Sequence, residues 1–237
     1  MKEDIAIEAL REVKEIFDKH GIVFWLDFGT LLGAVRESKF ISWDHDIDLG
    51  AWCKEGNEIF SACMELEKGG FRIIWGHSMD SSLTPFHISI FKKEGRVGIG
   101  IWLYYLNDNS AIIEYSIYQH AGLLCNLFMF PQYVDVYRLS YLTKILLKIN
   151  YLLPYPLREK VAKFLHFVAV KMGWHKKVLF VVPYNYFKNL ATIKFYGMEF
   201  NIPSKAEEYL VYKYGKDWKI PKKGYIPHKE DGTICTR

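Results

Sequence analysis

Three aspartates spaced two residues apart, Asp44, Asp46 and Asp48, have the types and spacing best suited to chemistry in this chain. Residues 46–52 alternate like a β-strand, so Asp46 and Asp48 leave the same face while the residues between them point into a core. Two carboxylates on one face repel each other unless a cation lies between them. Such oxygen ligands suit Mg²⁺, with Mn²⁺ as an alternative. The spacing therefore predicts that Asp46 and Asp48 bind a divalent metal.

Asp44 has the same parity but comes just before the strand. It could be a further metal ligand, a general base or a substrate contact. A bare Asp-x-Asp motif also occurs by chance on exposed edge strands, where the acids are simply solvated. The apolar segment 40–43 directly before the three aspartates favours a site over that alternative.

A glycine and a threonine follow the apolar run 22–26 and open a predicted helix. Glycine lets the backbone approach a phosphate closely, and the free N–H groups of a helix start favour an anion. We predict that Gly29 and Thr30 bind substrate phosphates, although Thr30 could equally act only as a helix cap. Arg36, one short helix later, offers a guanidinium suited to phosphate, with a surface ion pair to Glu37 or an aspartate as the alternative.

The elements that position these residues alternate between helices and strands. Hydrophobic periodicity predicts helices at 2–19, 30–36 and 54–68. It predicts strands at 22–26, 46–52, 71–75, 86–91, 96–106 and 111–115. The pattern indicates an α+β fold with a mixed sheet flanked by helices.

The pattern becomes more helical after about residue 137. Two helical faces, at 142–153 and 157–168, are separated by prolines, and a hairpin at 192–202 bends at Gly197. Ser204 and Glu207 have the capping-box spacing and open a last helix that ends near Gly215. We expect a sheet domain at 1–137, which carries the metal and phosphate site, and a helical C-terminal lobe at 138–237 packed on it.

Composition narrows the class of protein. A net charge of +4 spread along 237 residues does not indicate a nucleic-acid surface, and four dispersed cysteines fit free thiols in a reducing compartment. The N-terminus lacks a signal-peptide core, and no apolar run reaches the ~18 residues of a membrane span. We predict a cytoplasmic protein. The basic stretch 144–177 allows peripheral contact at the inner membrane surface, with ordinary helix packing as the alternative.

The motif residues resemble the LicD/fukutin family, a branch of the nucleotidyltransferase superfamily. Residues 29–36 read as its Gly-Thr-Leu-Leu-Gly-x-x-Arg element, and residues 40–48 as its Phe-Ile-Pro-Trp-Asp-x-Asp-x-Asp element. Segments 195–203, 208–210 and 214–218 resemble the C-terminal part of the family. The resemblance implies a nucleotidyltransferase-like fold.

The same resemblance implies a transferase that moves a phospho-alcohol, such as phosphocholine or ribitol phosphate, from a CDP-linked donor to a hydroxyl of a glycan or glycolipid. Asp46 and Asp48 would be the metal pair, with Asp44 as the outer acid of the motif. Gly29, Thr30 and Arg36 would hold the donor phosphates.

The chain departs from the family pattern at three positions. Ser42 replaces a usual proline and His45 a common aspartate. A third carboxylate is expected on a later strand, where Gly100 stands in this chain. Either the register differs, or another residue (His87, Asp44, Asp108 or Glu114) substitutes, or activity is reduced or absent.

Two competing functions stay open. A true nucleotidyltransferase would transfer the nucleotide and release pyrophosphate, whereas the phospho-alcohol transferase would release CMP. A catalytically silent binding protein that keeps the pocket is the alternative from another class, and it is motivated by Gly100.

Overall fold

The computed structural model describes residues 2–77, 85–92, 97–118, 155–225 and 230–236. The chain divides into two compact units. The first comprises residues 1–78, 83–114 and 179–235, and the second residues 79–82, 115–178 and 236–237. Residue 137 lies outside the described residues, so the division into 1–137 and 138–237 stays a prediction.

Helices and strands alternate along the chain. The helices are α1 (Glu3–Lys19), α2 (Phe28–Glu37), α3 (Gly56–Lys68), α4 (Tyr155–Lys171) and α5 (Ala206–Tyr214). The first six strands are β1 (Phe24–Leu26), β2 (Asp46–Trp52), β3 (Phe71–His77), β4 (Pro85–Lys92), β5 (Val97–Asn107) and β6 (Ser110–Tyr118). The later strands are β7 (His175–Pro183), β8 (Leu190–Phe195), β9 (Met198–Pro203) and β10 (Ile234–Thr236).

The strands form one sheet in the order β10-β7-β6-β5-β2-β1-β9-β8, with β4 also paired to β5 and β3 to β4. The sheet is mixed, because β2 runs antiparallel to β1 but parallel to β5, and β1 runs parallel to β9. The predicted α+β class with a mixed sheet flanked by helices is confirmed.

One face of the central strands is apolar. Ile47 and Leu49 of β2 and Ile99 and Ile101 of β5 are almost fully buried. Helix α1 contacts β5 and α3, and α3 contacts β3. The alternate positions of β2, which include Asp46 and Asp48, leave the opposite face, as strand geometry requires.

Tight packing of β1 on β2 requires a glycine at position 50. Gly50 lies opposite Trp25 in the ladder, and a Cβ at this position would be 2.3 Å from the indole Nε1. Trp25 is fully buried. The indole therefore occupies the space that any other residue at position 50 would need.

The C-terminal elements confirm some predictions and correct others. The predicted hairpin is confirmed as β8 and β9, with Gly197 at φ +77° in its turn. The predicted capping box is wrong. The residue before α5 is Lys205, which makes no side-chain cap, and Glu207 pairs with Lys219 instead of capping the helix. Strands β7 and β10 were not predicted.

Two further sequence expectations concern thiols and membrane spans. Cys53, Cys63 and Cys235 are free, as predicted, and Cys125 lies outside the described residues. In the described part of the chain, no helix is both long enough and apolar enough to cross a bilayer. The predicted helical face at 142–153 also lies outside the described residues.

We expect Gly50→Ala to lower the free energy of unfolding by about 1–3 kcal/mol, because the added methyl group would overlap the buried indole of Trp25. The matched control is Gly56→Ala at the start of α3. A Cβ there meets nothing within 4 Å, and φ is −59°. The control should raise the free energy of unfolding by about 0.4–1 kcal/mol. Equal effects of the two variants in urea unfolding would contradict this packing.

Candidate functional site

The site begins where β1 passes into α2. Asp27 is the N-cap of α2, and its Oδ1 accepts a hydrogen bond from the Phe28 N–H at 2.8 Å. Phe28 has φ +44°, so the chain turns sharply into the helix. The first turn of a helix has N–H groups without intrahelical acceptors. Here Gly29 and Thr30 stand in that turn, so the predicted phosphate-binding pair lies at the positive end of the helix dipole.

Two hydrogen bonds join this turn to β2, both at Asp48. The Asp27 N–H donates to the Asp48 carbonyl at 3.1 Å. The Asp48 N–H donates to Oγ1 of Thr30 at 2.8 Å. Thr30 is buried, and its hydroxyl therefore fixes the distance between the start of α2 and the metal-ligand candidate on β2.

Asp44 lies against the start of α2. Its Oδ1 accepts from the His45 N–H at 3.0 Å, and its own N–H donates to the Ile41 carbonyl at 2.9 Å. A Cβ on residue 29 would be 2.3 Å from Oδ2 of Asp44. Glycine at position 29 thus leaves the space that the Asp44 carboxylate occupies.

The three predicted carboxylates act on one another. Burial raises the pKa of Asp48 well above its usual value, and the charges of Asp46 and Asp44 raise this pKa further. Burial, the charge of Asp46 and a hydrogen bond with the Asp46 side chain together raise the pKa of Asp44 to about 6. The carboxyl groups of Asp44, Asp46 and Asp48 therefore lie close enough for their charges to act on one another. Metal binding by Asp46 and Asp48 stays a prediction. Among the described residues, no group of three or more His, Cys, Asp or Glu side chains forms a ready metal site.

Trp102 on β5 also belongs to this site. It was not predicted as a site residue, because aromatic residues at alternating positions of a strand indicate packing in the core. Its Nε1 donates to Oδ1 of Asp48 at 2.8 Å and opposes the rise in the pKa of Asp48. Its ring centroid lies 5.1 Å from that of Phe28 and 4.3 Å from that of His87. The indole thus connects Asp48 with the first residue of α2.

The register of the sheet places Gly100 beside Asp48. The two residues are partners in the parallel β2–β5 ladder, and Ser89 of β4 lies opposite Gly100 on the other side. A Cβ at position 100 would be 2.7 Å from Nε2 of His87 and 3.4 Å from Oδ1 of Asp48. The position expected to hold a third carboxylate is therefore next to Asp48, and the His87 imidazole fills the space.

His87 is buried, and this burial lowers the pKa of its imidazole to about 4, so that the ring is neutral at pH 7. Its Nδ1 lies 3.3 Å from Oγ of Ser89. Asp108, by contrast, lies in the exposed turn between β5 and β6. Of the four candidates for the missing carboxylate, His87 lies at the Gly100 position and the charge of Asp44 acts on Asp48.

Arg36 forms an ion pair with Glu37, which the sequence had offered as the alternative to phosphate binding. Its Nε and Nη2 donate to Oε1 of Glu37 at 2.9 and 2.6 Å, and its Nη1 donates to the Trp218 carbonyl at 3.3 Å. The side chain is largely buried. Phosphate binding by Arg36 stays a prediction, and it would require part of this guanidinium to exchange partners.

A buried polar network that sequence reasoning missed supports the turn from behind. Asp27 accepts hydrogen bonds from the hydroxyls of Tyr104, at 2.7 Å, and Tyr209, at 3.0 Å. Burial raises the pKa of Asp27, and the charge of Lys213 is the largest opposing effect. Lys213 pairs with Asp231 at 2.7 Å, and both side chains are buried.

Lys213 also lies against the turn itself, with Nζ 3.9 Å from the Phe28 ring centroid. A buried ammonium over an aromatic face is attractive, especially when it is also paired with a carboxylate. The network therefore anchors Asp27 and Phe28, the two residues that set the direction of α2. Spacing along the sequence carries no signal for it, because its members come from the β1–α2 junction, β5, α5 and the C-terminal segment.

Comparison with known families and proteins agrees with the motif. Residues 21–133 match the family described as LicD/FKTN/FKRP, nucleotidyltransferase domain. Ribitol 5-phosphate transferase FKRP of Mus musculus and that of Homo sapiens are each 27% identical over 103 residues, which is 41% of this chain and 20% of theirs. The match thus spans about a fifth of the length of these curated relatives.

Two solved structures show weak similarity. The lincomycin-bound lincosamide antibiotic adenylyltransferase LnuA is 14% identical, with a TM-score of 0.41 over 86% of this chain and 83% of its own. The antibiotic-resistance factor ANT(2'')-Ia is 10% identical, with a TM-score of 0.36 over 72% and 97%. Similarity at this level adds no argument about activity.

We expect Thr30→Val to lower the free energy of unfolding by about 1–3 kcal/mol, because the buried Asp48 N–H would lose its acceptor. Thr30→Ser keeps the hydroxyl and is the matched control. Urea unfolding of the two variants measures the difference. If Thr30→Val is as stable as Thr30→Ser, the hydroxyl does not hold β2.

Gly100→Asp alone should lower the free energy of unfolding by about 1–3 kcal/mol, because its Cβ would overlap His87. Adding His87→Ala should restore most of the lost free energy of unfolding. The measurement is made with saturating Mg²⁺, which offsets the charge repulsion between the new aspartate and Asp48. The double variant should also bind Mn²⁺ more tightly than His87→Ala alone. No recovery of stability in the double variant would show that His87 does not occupy this space.

Proposed function

Since the chain carries a LicD-family nucleotidyltransferase domain over residues 21–133, we propose that it transfers a phospho-alcohol from a CDP-linked donor to a hydroxyl of a glycan or glycolipid. The observation that carries the proposal is the meeting of three mutually repelling carboxylates with the amino end of α2. A diphosphate with its counter-cation fits this site, because the carboxylates would bind the cation and the N–H groups at the start of α2 would bind the phosphates. The relatives named as ribitol 5-phosphate transferases make CDP-ribitol the first donor to test.

The residues around the start of α2 and along β2 would bind the metal and the donor phosphates. Asp46 and Asp48 would hold Mg²⁺, which when bound neutralises the diphosphate and positions it. The N–H groups of Gly29 and Thr30 would bind donor phosphate oxygens at the start of α2, and Arg36 would contribute its guanidinium. Trp102 keeps the Asp48 carboxylate oriented through its indole N–H.

Asp44 is assigned as the base because its carboxylate lies directly at the start of α2, where the donor phosphates would bind. The acceptor hydroxyl oxygen attacks the phosphorus that carries the alcohol, and its proton passes to Asp44. A new phosphate ester bond forms as the P–O bond to the CMP phosphate breaks. CMP leaves with the bridging oxygen and its electron pair.

The products separate this proposal from its competitors. A nucleotidyltransferase acting on a nucleoside triphosphate would release pyrophosphate rather than CMP. A silent binding protein would release neither, and the imidazole beside Gly100 is the observation that favours this second candidate. Retention of labelled donor on the protein without turnover would identify the silent binder.

We expect CMP release from one member of a panel of CDP-ribitol, CDP-choline and CDP-glycerol in the presence of Mg²⁺, with slow donor hydrolysis as the minimal signal. Asp46→Asn and Asp48→Asn should each lower this rate by about 10²-fold or more, because a few kcal/mol of charge stabilisation is lost. Both variants should fold at least as stably as the parent, since each removes a charge from a repelling group.

The matched control is Asp108→Asn, which removes a carboxylate from the exposed turn between β5 and β6 at φ +51°, a conformation that asparagine tolerates. Its rate should equal that of the parent. Unchanged rates in Asp46→Asn and Asp48→Asn would refute the site assignment. Release of pyrophosphate from a nucleoside triphosphate such as CTP, with no CMP from the CDP-linked donors, would refute the reaction while keeping the site.

A further inference from the structure

Helix α4 exposes large apolar side chains. Phe164 is 63% exposed, Phe167 57% and Leu157 45%. Val170 of the same helix is 46% exposed. Burying side chains of this kind is favourable, so several of them in water on one helix indicate a surface that binds a partner. The residues of the carboxylate site belong to the other compact unit, and the proposed function gives no reason for this exposure.

Leu157, Phe164 and Phe167 lie on one face together with lysines. At 100° per residue, Leu157, Phe164 and Phe167 fall within an arc of roughly 80°, and the same arc contains Lys160 and Lys171. Both lysines are exposed, and Nζ of Lys171 lies 5.8 Å from the Phe167 ring centroid. These five residues are called the α4 face. Ala169, on roughly the opposite side, is 1% exposed, so the helix has its buried side away from this face.

The charge of this part of the chain is distinct from the rest. Residues 138–177 contain nine Lys and Arg and a single Glu, whereas the remainder contains 22 basic and 26 acidic residues. The basic charge is therefore concentrated in the segment of the sequence that contains α4, although the chain as a whole carries only +4. A cationic segment of this kind attracts an anionic surface.

We propose that the α4 face binds the surface of a bilayer containing anionic lipids. Phenyl and leucyl groups can enter the boundary between headgroups and acyl chains, while lysines in the same arc reach lipid phosphates through their flexible stems. The mixture of apolar and cationic groups in one arc fits this boundary. Duplex nucleic acid would match the charge but offers no apolar phase for the phenyl groups.

The test measures co-sedimentation of the full chain with vesicles of phosphatidylcholine alone and with added phosphatidylglycerol. The parent should bind the anionic vesicles in a salt-sensitive way and leave the neutral ones unbound. Phe164→Ser with Phe167→Ser should weaken binding about tenfold or more. Lys160→Glu with Lys171→Glu should weaken it by about fivefold or more for each lysine.

Matched controls lie on the first compact unit. Ile220→Ser removes an exposed apolar side chain, and Lys68→Glu with Lys216→Glu reverses two exposed lysines. These controls should bind anionic vesicles like the parent. Thermal unfolding and CMP release from a soluble CDP-linked donor should be unchanged in the α4-face variants, so that failure of the proposed reaction would not affect this test.

Three outcomes would overturn the proposal. The first is equal binding to neutral and anionic vesicles, or binding that the α4-face variants share with the parent. The second is an oligomer of the parent that the phenylalanine variants dissociate, since the face would then contact a second copy. The third is absence of vesicle binding by the parent. A lowered unfolding temperature in the phenylalanine variants would then show that another part of the chain covers the face.

Discussion

The buried carboxylate of Asp27 is the interaction on which the geometry of the site depends. It caps α2, accepts hydrogen bonds from tyrosines on β5 and α5, and lies near the buried ammonium of Lys213. A carboxylate without solvent is stable only when such partners are all present. Its backbone N–H also binds the Asp48 carbonyl. One residue therefore fixes both the helix start and the strand that face each other across the site.

The face of the sheet that carries the aspartates is shaped by pairs of glycines and rings. Gly50 faces the Trp25 indole and Gly100 the His87 imidazole, and a Cβ on Gly98 would lie 3.2 Å from the Phe91 ring. In each pair, the missing side chain of one strand provides the space for the ring of its neighbour. This complementarity holds Asp48 beside Trp102 and His87 in a half-buried environment, where its charge interacts strongly with those nearby.

The carboxylate site and the α4 face support separate conclusions. The first is a chemical arrangement on the central strands and α2, and its interpretation as a transferase site draws on the LicD-family match of residues 21–133. The second depends on exposure and charge in the other compact unit. A membrane-bound acceptor would explain both the carboxylate site and the α4 face, but each can be tested without the other.

Local pattern in the sequence was sufficient for part of this description. Alternation across 46–52 predicted which face carries Asp46 and Asp48, since side chains of a strand alternate whatever the strand pairs with. The glycine at the bend of the β8–β9 hairpin and the α+β class followed from similarly local signals. The roles of Mg²⁺, Gly29, Thr30 and Arg36 remain predictions from the motif.

The tertiary structure alone decided which distant residues surround those acids. Trp102 reaches Asp48 across 54 positions, and Tyr209 reaches Asp27 across 182. The His87 imidazole fills the space at Gly100 because β4 and β2 both pair with β5 in a particular register. Register and long-range pairing depend on the packing of the whole sheet, so short-range periodicity cannot encode them. The sequence by itself determined which face of β2 carries the aspartates, and the fold determined the environment in which they lie.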